Sequence, residues 1–216
     1  MKIVDLTQPL VCGRDIQCRV PAQLPVYLGH ECEEYQYSFH SHLGCYYETS
    51  AHLYRGGKTT SEARIEDLIM PALIPRLDKR RDGAIEPEEL AAALKTRVRP
   101  GDALVVDAQG QNQRYFSRGC GAWMAARKIS LLGATMPRFD TGFVDPTGIF
   151  VELFDAEIPI IANLQNVDKL AHERVFLIVM PLAIQSVCTA PCRVVALDGD
   201  ADDIEWLTSH LRADME

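Results

Sequence analysis

The chain has 216 residues, 47% of them apolar and 24% charged, with 22 basic against 30 acidic side chains. That length and balance suit one globular domain with its own core, and they exclude a disordered, collagen-like or coiled-coil chain. The net charge of −8 argues against a nucleic-acid or anionic-membrane surface as partner.

In chain order, residues 2–6 alternate weakly as a strand, and residues 35–43 set Tyr35, Tyr37 and Phe39 against polar neighbours, the period-2 pattern of a half-buried strand. Residues 73–77 are a further short strand. Residues 86–95 form a helix opened by Pro87, with Glu86, Glu88 and Glu89 at its positive end. Residues 103–107 read as a buried strand and 121–132 as a helix with Trp123, Met124, Ile129 and Leu132 inward. Then follow a strand at 135–140, a helix at 147–155, strands at 158–161, 175–182 and 193–197, and a closing helix at 202–211. A β-rich first third followed by alternating helices and strands predicts an α/β fold. No repeat or linker divides it, so residues 1–216 form a single domain.

The first residues carry no apolar leader, and the longest apolar run, 175–184, is broken by Pro181, well short of the roughly 20 residues a spanning helix needs. A soluble, cytoplasmic protein is expected. Seven scattered cysteines without a CxxC pair predict reduced thiols rather than a disulfide framework or a zinc finger. A basic run at Arg76, Lys79, Arg80 and Arg81 sits among acids. Asp78 to Glu89 also fits part of a calcium loop, but Arg80 stands where an oxygen ligand belongs, so a polar turn is expected.

His40, His42, Cys45, Glu48 and His52 crowd into thirteen residues. His40 and His42 are two apart and would share one face of the predicted strand. Histidine with carboxylate suits zinc or manganese. The stretch His42-Leu43-Gly44-Cys45-Tyr46-Tyr47-Glu48-Thr49-Ser50-Ala51-His52 resembles the H-x-G-T-H-x-D-x-P-x-H signature of the cyclase superfamily, which includes the kynurenine formamidases. Asp5 to Leu10, Gly101-Asp102, Phe139-Asp140-Thr141, Ile158 to Leu164 with Val167-Asp168, and Pro181-Leu182 followed by Ala190 to Ala196 are similar to further family motifs in the same order.

The resemblance implies a swivelling β/β/α domain with a central mixed sheet and flanking helices. It also implies a homodimer or homotetramer, and a metal-dependent hydrolase of small amides, formamides or cyclic substrates. Carried over residue by residue, it gives His42 and Glu48 as metal ligands and His52, with Glu48, as the catalytic proton-transfer pair. The family's other ligands fall on Tyr46, Phe150 and Ala162. Tyr46 ligates only as phenolate, with a reference pKa near ~10, and the other two carry no donor. The motif is therefore degenerate. It leaves at most one zinc or manganese ion, with His40 or Cys45 as recruits, or a metal-free pocket lined by Tyr46, Tyr47 and Phe150. Two functions follow: a hydrolase with one ion, or a non-catalytic relative that binds a small molecule or a partner. An interaction protein without a working pocket has no supporting motif. Arg118 is a candidate carboxylate holder or a surface residue.

Overall fold

The structure, a computed structural model, describes residues 1–79, 82–111 and 113–212. Arg80 and Arg81 of the basic run and calcium-like loop lie outside the described residues. Eight strands make the main sheet: β1 (Lys2–Asp5), β2 (Tyr46–Glu48), β3 (Ile69–Leu73), β4 (Ala103–Val106), β5 (Leu131–Ala134), β6 (Ile160–Ala162), β7 (Arg174–Pro181) and β8 (Thr189–Asp198). Their order is β1-β8-β7-β3-β4-β5-β6-β2, and β2 pairs again with β8. Seven strands thus close on themselves, with β1 laid along the outer edge of β8. The fold is the expected α/β domain with a central mixed sheet.

Closure depends on the length of β8. Its first residues, Thr189 to Pro191, pair with β2, and Cys192 to Leu197 pair with β7. β3, β4, β5 and β6 run parallel. β4, β5 and β6 are buried throughout, Ala103-Leu104-Val105-Val106 on both faces, the pattern expected where a parallel sheet is covered on each side. One face carries Val4, Cys45, Tyr47, Met70, Val105, Ile161, Leu177 and Val194. The other carries Tyr46, Leu104, Leu132, Ile160 and Ala162 and is covered by three helices. These are α1 (Pro87–Ala92), α2 (Arg118–Ala126) and α3 (Ile149–Asp155). A fourth, α4 (Ala201–Arg212), seats Ile204 and Leu207 on Phe176 of β7. Asp200 starts α4 by accepting from the Asp203 amide at 2.9 Å.

Several sequence expectations shift. The helix read over 121–132 is α2 followed by β5. It ends because Lys128 takes a left-handed φ of 56°, while Lys128 N–H donates to Ala125 O and Ile129 N–H to Met124 O. This is a Schellman stop made without glycine, so the sequence carries no stop signal. α3 ends the same way at Glu157, whose φ is 53°, with Ile158 N–H donating to Leu153 O. The strand expected at 135–140 lies earlier, at β5. The strand expected at 73–77 is Ile69–Leu73; Pro71 fits there because β3 pairs only β7 at that point, before β4 joins at Ala72.

The strand expected over 35–43 shrinks to Gln36–Ser38, paired with Gln17–Arg19, both fully or largely exposed. Its aromatic face meets no second layer: Tyr35, Tyr37 and Phe39 are exposed. The expectation of free thiols fails at one place. Cys12 and Cys18, with Cα atoms 5.8 Å apart, form a disulfide, brought together by a turn at Gly13 with φ 82°.

Candidate metal centre

β2 is the central strip of the site. It lies between β6, where Glu48 faces Ile160 and Tyr46 faces Ala162, and β8, where Glu48 faces Thr189. Alternation along the strand puts Tyr46 and Glu48 on the helix-covered face and Cys45 and Tyr47 on the opposite one. Glu48 is 2% exposed. Its Oε1 meets His42 Nε2 at 3.0 Å and His52 Nδ1 at 2.8 Å, and Thr189 Oγ1 lies 3.4 Å away. The two imidazoles meet edge to face at 5.3 Å, and His42 meets the Tyr46 ring at 5.0 Å. Ser41 Oγ sits 3.1 Å from His42 Nδ1, which turns Nε2 toward the carboxylate.

His52 is carried by a 3-10 turn, Ser50–His52. Three contacts fix that turn. His52 N–H donates to Thr49 O, Thr49 N–H donates to Cys188 O, and Ser50 Oγ donates to Glu157 at 3.0 Å. Gly57 packs so closely that a Cβ there would stand 2.7 Å from the Ala51 nitrogen and the Ser50 carbonyl carbon.

His42, Glu48 and His52 therefore converge, each offering one ligand atom, all within 4.8 Å of one another. Two imidazole nitrogens and a carboxylate oxygen are a donor set suited to zinc, and to manganese. By chemistry and spacing these residues fit one divalent ion. Tyr46 does not join as an anion: burial, with the nearby Glu48 carboxylate, pushes its phenol far above the usual range. It stands as a neutral hydroxyl beside His42.

Both suggested recruits fall away. Cys45 lies on the other face of β2, where its sulfur accepts from Gln8 N–H at 3.1 Å and its thiol donates to Asn163 O at 3.1 Å. Burial pushes that thiol up to about 11. His40 is exposed and outside the converging group. Tyr47 is corrected as well. It lines a cavity of about 300 Å³ with Ser50, Lys58, Asp67 and Glu157 on the opposite side of β2, away from the histidines. Phe150 stacks on Phe139 and Phe154 and packs on the core that holds Tyr46 and Ala162. Arg118 is a surface residue paired with Glu152 at 2.7 Å. The buried Asp140 is occupied by backbone amides of Thr141, Thr147 and Gly148.

One group escaped the sequence reading. Cys188 Sγ lies 3.8 Å from His52 Nδ1 and 3.5 Å from Thr189 Oγ1. No local motif announces it; only the register of β8 against β2 could have placed it there.

The closed mixed sheet defines a class of fold, and known proteins share that fold. The chain aligns with isatin hydrolase A from Labrenzia aggregata bound to benzyl benzoate, at 19% identity and a TM-score of 0.74, covering 92% of this chain and 94% of that one. An isatin hydrolase bound to the product analogue thioisatinate gives 17% and 0.74, with 90% and 91% covered. A structure described as a "predicted metal-dependent hydrolase" from Bacillus stearothermophilus gives 19% and 0.71, with 92% and 98% covered. No curated protein matches the sequence. The family model described as "Putative cyclase" matches residues 4–141, and the chain belongs to that cyclase family.

Proposed function

We propose that the protein is a hydrolase of a small amide, formamide or cyclic amide, working with one divalent ion held by His42, Glu48 and His52. The observation that carries this reading is the convergence of those three ligand atoms within 4.8 Å. Family membership and the likeness to isatin hydrolases support the substrate class. Such an ion, when bound, supplies a Lewis acid and lowers the pKa of a coordinated water.

The chain's own groups do the rest. Ser41 orients His42, and the turn at Ser50–His52 fixes His52. An imidazole that gives Nδ1 to a cation cannot also take up a proton there. Proton acceptance therefore passes to Glu48, buried beside both rings, rather than to Nδ1 of His52 as the family pattern implies. Tyr46, neutral beside His42, is a hydrogen-bond donor for the substrate carbonyl, and Phe150 forms an apolar wall. Assembly as a homodimer or homotetramer belongs to the same proposal. Its support is the exposed apolar arm containing Val26, Tyr27 and Leu28, together with Phe143 and Val144, both almost fully exposed.

The test is metal analysis of the purified protein, with isatin and an aryl formamide assayed before and after Zn²⁺ or Mn²⁺. About one ion per chain with metal-dependent turnover is the expected result. Protein that takes up no ion and hydrolyses neither substrate overturns it.

A second reading has its own observation. Phe150 and Ala162 bring no donor, and Glu48 is already satisfied without an ion, hydrogen-bonded to His42 and to Thr189 and in ion-pair contact with His52. A metal-free relative that binds a small molecule would keep its melting temperature unchanged by either cation.

A further inference from the structure

We infer that the cavity on the far side of β2 from the histidines is a second binding site, for a small molecule that carries a carboxylate and an ammonium group on one short hydrocarbon chain. Its volume of about 300 Å³ stands at the low end of the range for small-molecule pockets. It lies at the end of the closed sheet where the parallel strands begin. Met70 is at the start of β3, Ile129 just before β5 and Pro159 just before β6. These three give the cavity its apolar lining, and Lys58, Asp67 and Glu157 give it charge.

Three of its polar groups are open to a ligand. Tyr47 is 3% exposed, with its ring in the apolar interior of the sheet. Its hydroxyl has no hydrogen-bond partner among the described residues, and it is the part of the side chain left open to the cavity. A phenol is neutral at pH 7 and has a proton to donate. The Lys58 ammonium forms no hydrogen bond with a described residue and stands 3.9 Å from Asp67. Asp67 is already held by Arg64, at 3.1 and 3.2 Å. Among the described residues, the Glu157 side chain accepts only the Ser50 hydroxyl, 3.0 Å from each of its oxygens. One proton shared by two oxygens leaves that carboxylate with capacity to spare.

The signs of these groups select the ligand. A molecule with a carboxylate alone would bring its charge up to Glu157 and Asp67. One with an ammonium alone would meet Lys58. A molecule with both sets its carboxylate on Lys58 and Tyr47 and its ammonium on Glu157, so that each charge faces its opposite. The methylenes between them cover Met70, Ile129 and Pro159.

The cavity bears on the metal centre through Ser50. Its hydroxyl oxygen accepts from the Lys58 amide at 3.0 Å, and the residue opens the turn that ends in His52. An ammonium on Glu157 competes with the Ser50 hydroxyl and loosens that turn. One consequence rests on the hydrolase reading above. When water opens an aliphatic cyclic amide, the C–N bond breaks. The water oxygen stays on the carbonyl carbon, which becomes a carboxylate, and both water protons end on the nitrogen as an ammonium. The molecule that fits the cavity is then of the class the reaction releases, and the cavity slows turnover as product accumulates.

The experiment titrates the full-length protein with β-alanine, γ-aminobutyrate and δ-aminovalerate, and with butyrate and butylamine as single-charge controls, following backbone amides by NMR. The best of the three should shift the Ser50, Lys58 and Glu157 amides with a dissociation constant of about 1 mM, the scale of a few contacts partly open to solvent. Both controls should bind at least ~10-fold more weakly. Tyr47→Phe, Lys58→Met and Glu157→Gln should each weaken binding at least ~10-fold, as the loss of a hydrogen bond to a charged group does. Lys58, with its side chain 39% exposed, keeps the test decisive should Tyr47→Phe fail to fold. A control that binds as tightly as the amino acids, no shift at these amides, or undiminished binding in Lys58→Met and Glu157→Gln overturns the site. Turnover of the metal-loaded enzyme should fall as the amino acid is added, and fall less in Lys58→Met; turnover that ignores it while the amides shift overturns the feedback and leaves the site standing. Protein that binds the amino acid but takes up no ion and hydrolyses nothing overturns the hydrolase reading alone.

Discussion

Glu48 Oε1 gathers two imidazoles and a hydroxyl around a single buried atom, which makes Glu48 the residue on which the site turns. Glu48→Gln should fold, because the amide oxygen can still bond His42 and Thr189. It should bind no ion in metal analysis, and turnover should fall by at least about 10²–10⁴-fold, since the general base and the ion are lost together. His40→Ala should leave metal content unchanged, since His40 is outside the converging group; a variant that loses its ion would return His40 to the ligand set. His42, Glu48 and His52 were legible because their spacing survives within eleven consecutive residues. Counting alternation from Glu48 would already have sent Cys45 and Tyr47 to the far face; crowding in sequence had hidden that. Cys188 was not legible, because 136 residues separate it from His52 and only strand pairing joins them.

At the scale of elements, burial made the strands readable and unusual stops blurred the helices. β4, β7 and α4 follow their apolar patterns closely, since each buries the residues its pattern marks. α2 was overrun because Lys128 occupies a left-handed position where glycine is the usual signal. Lys128→Gly should therefore raise stability in urea by about 1 kcal/mol, the left-handed penalty of a residue with a Cβ; an unchanged or lower midpoint would refute the account. Gly57 makes the opposite case. A methyl there meets the Ser50 and Ala51 backbone at 2.7 Å, in the turn that carries His52. Gly57→Ala should lower the urea midpoint, as overpacking costs about 1–3 kcal/mol, and weaken metal binding in parallel. A variant that loses stability but binds metal normally would show that the turn does not position His52.

Across the whole molecule, the closed sheet depends on charged fasteners at its ends as well as on its two apolar faces, and these were invisible in the sequence because each joins distant segments. Arg174 grips buried Asp102 through two bonds of 2.6 and 2.9 Å, tying β7 to the start of β4. Asp198, at the end of β8 and 4% exposed, accepts from the Ala171 amide at 2.7 Å and from the His172 amide and Nδ1 at 3.2 and 2.8 Å. It thereby pins the segment leading into β7 against the β1–β8 edge. Burial raises the Asp198 carboxyl, but the hydrogen bonds from Ala171 and His172 outweigh it and hold the group below its usual 3.8. A carboxyl with a folded pKa below its unfolded one contributes stability above the unfolded value, and that contribution is lost as pH falls through the folded value. Asp198→Asn should cost about 1–3 kcal/mol at pH 7, the penalty for disrupting a buried hydrogen-bonded charge. The gap between wild type and variant should then narrow as urea titrations move from pH 7 through pH 4 to pH 3. A gap that stays constant across that window would mean that the bonds to Asp198 do not depend on its charge.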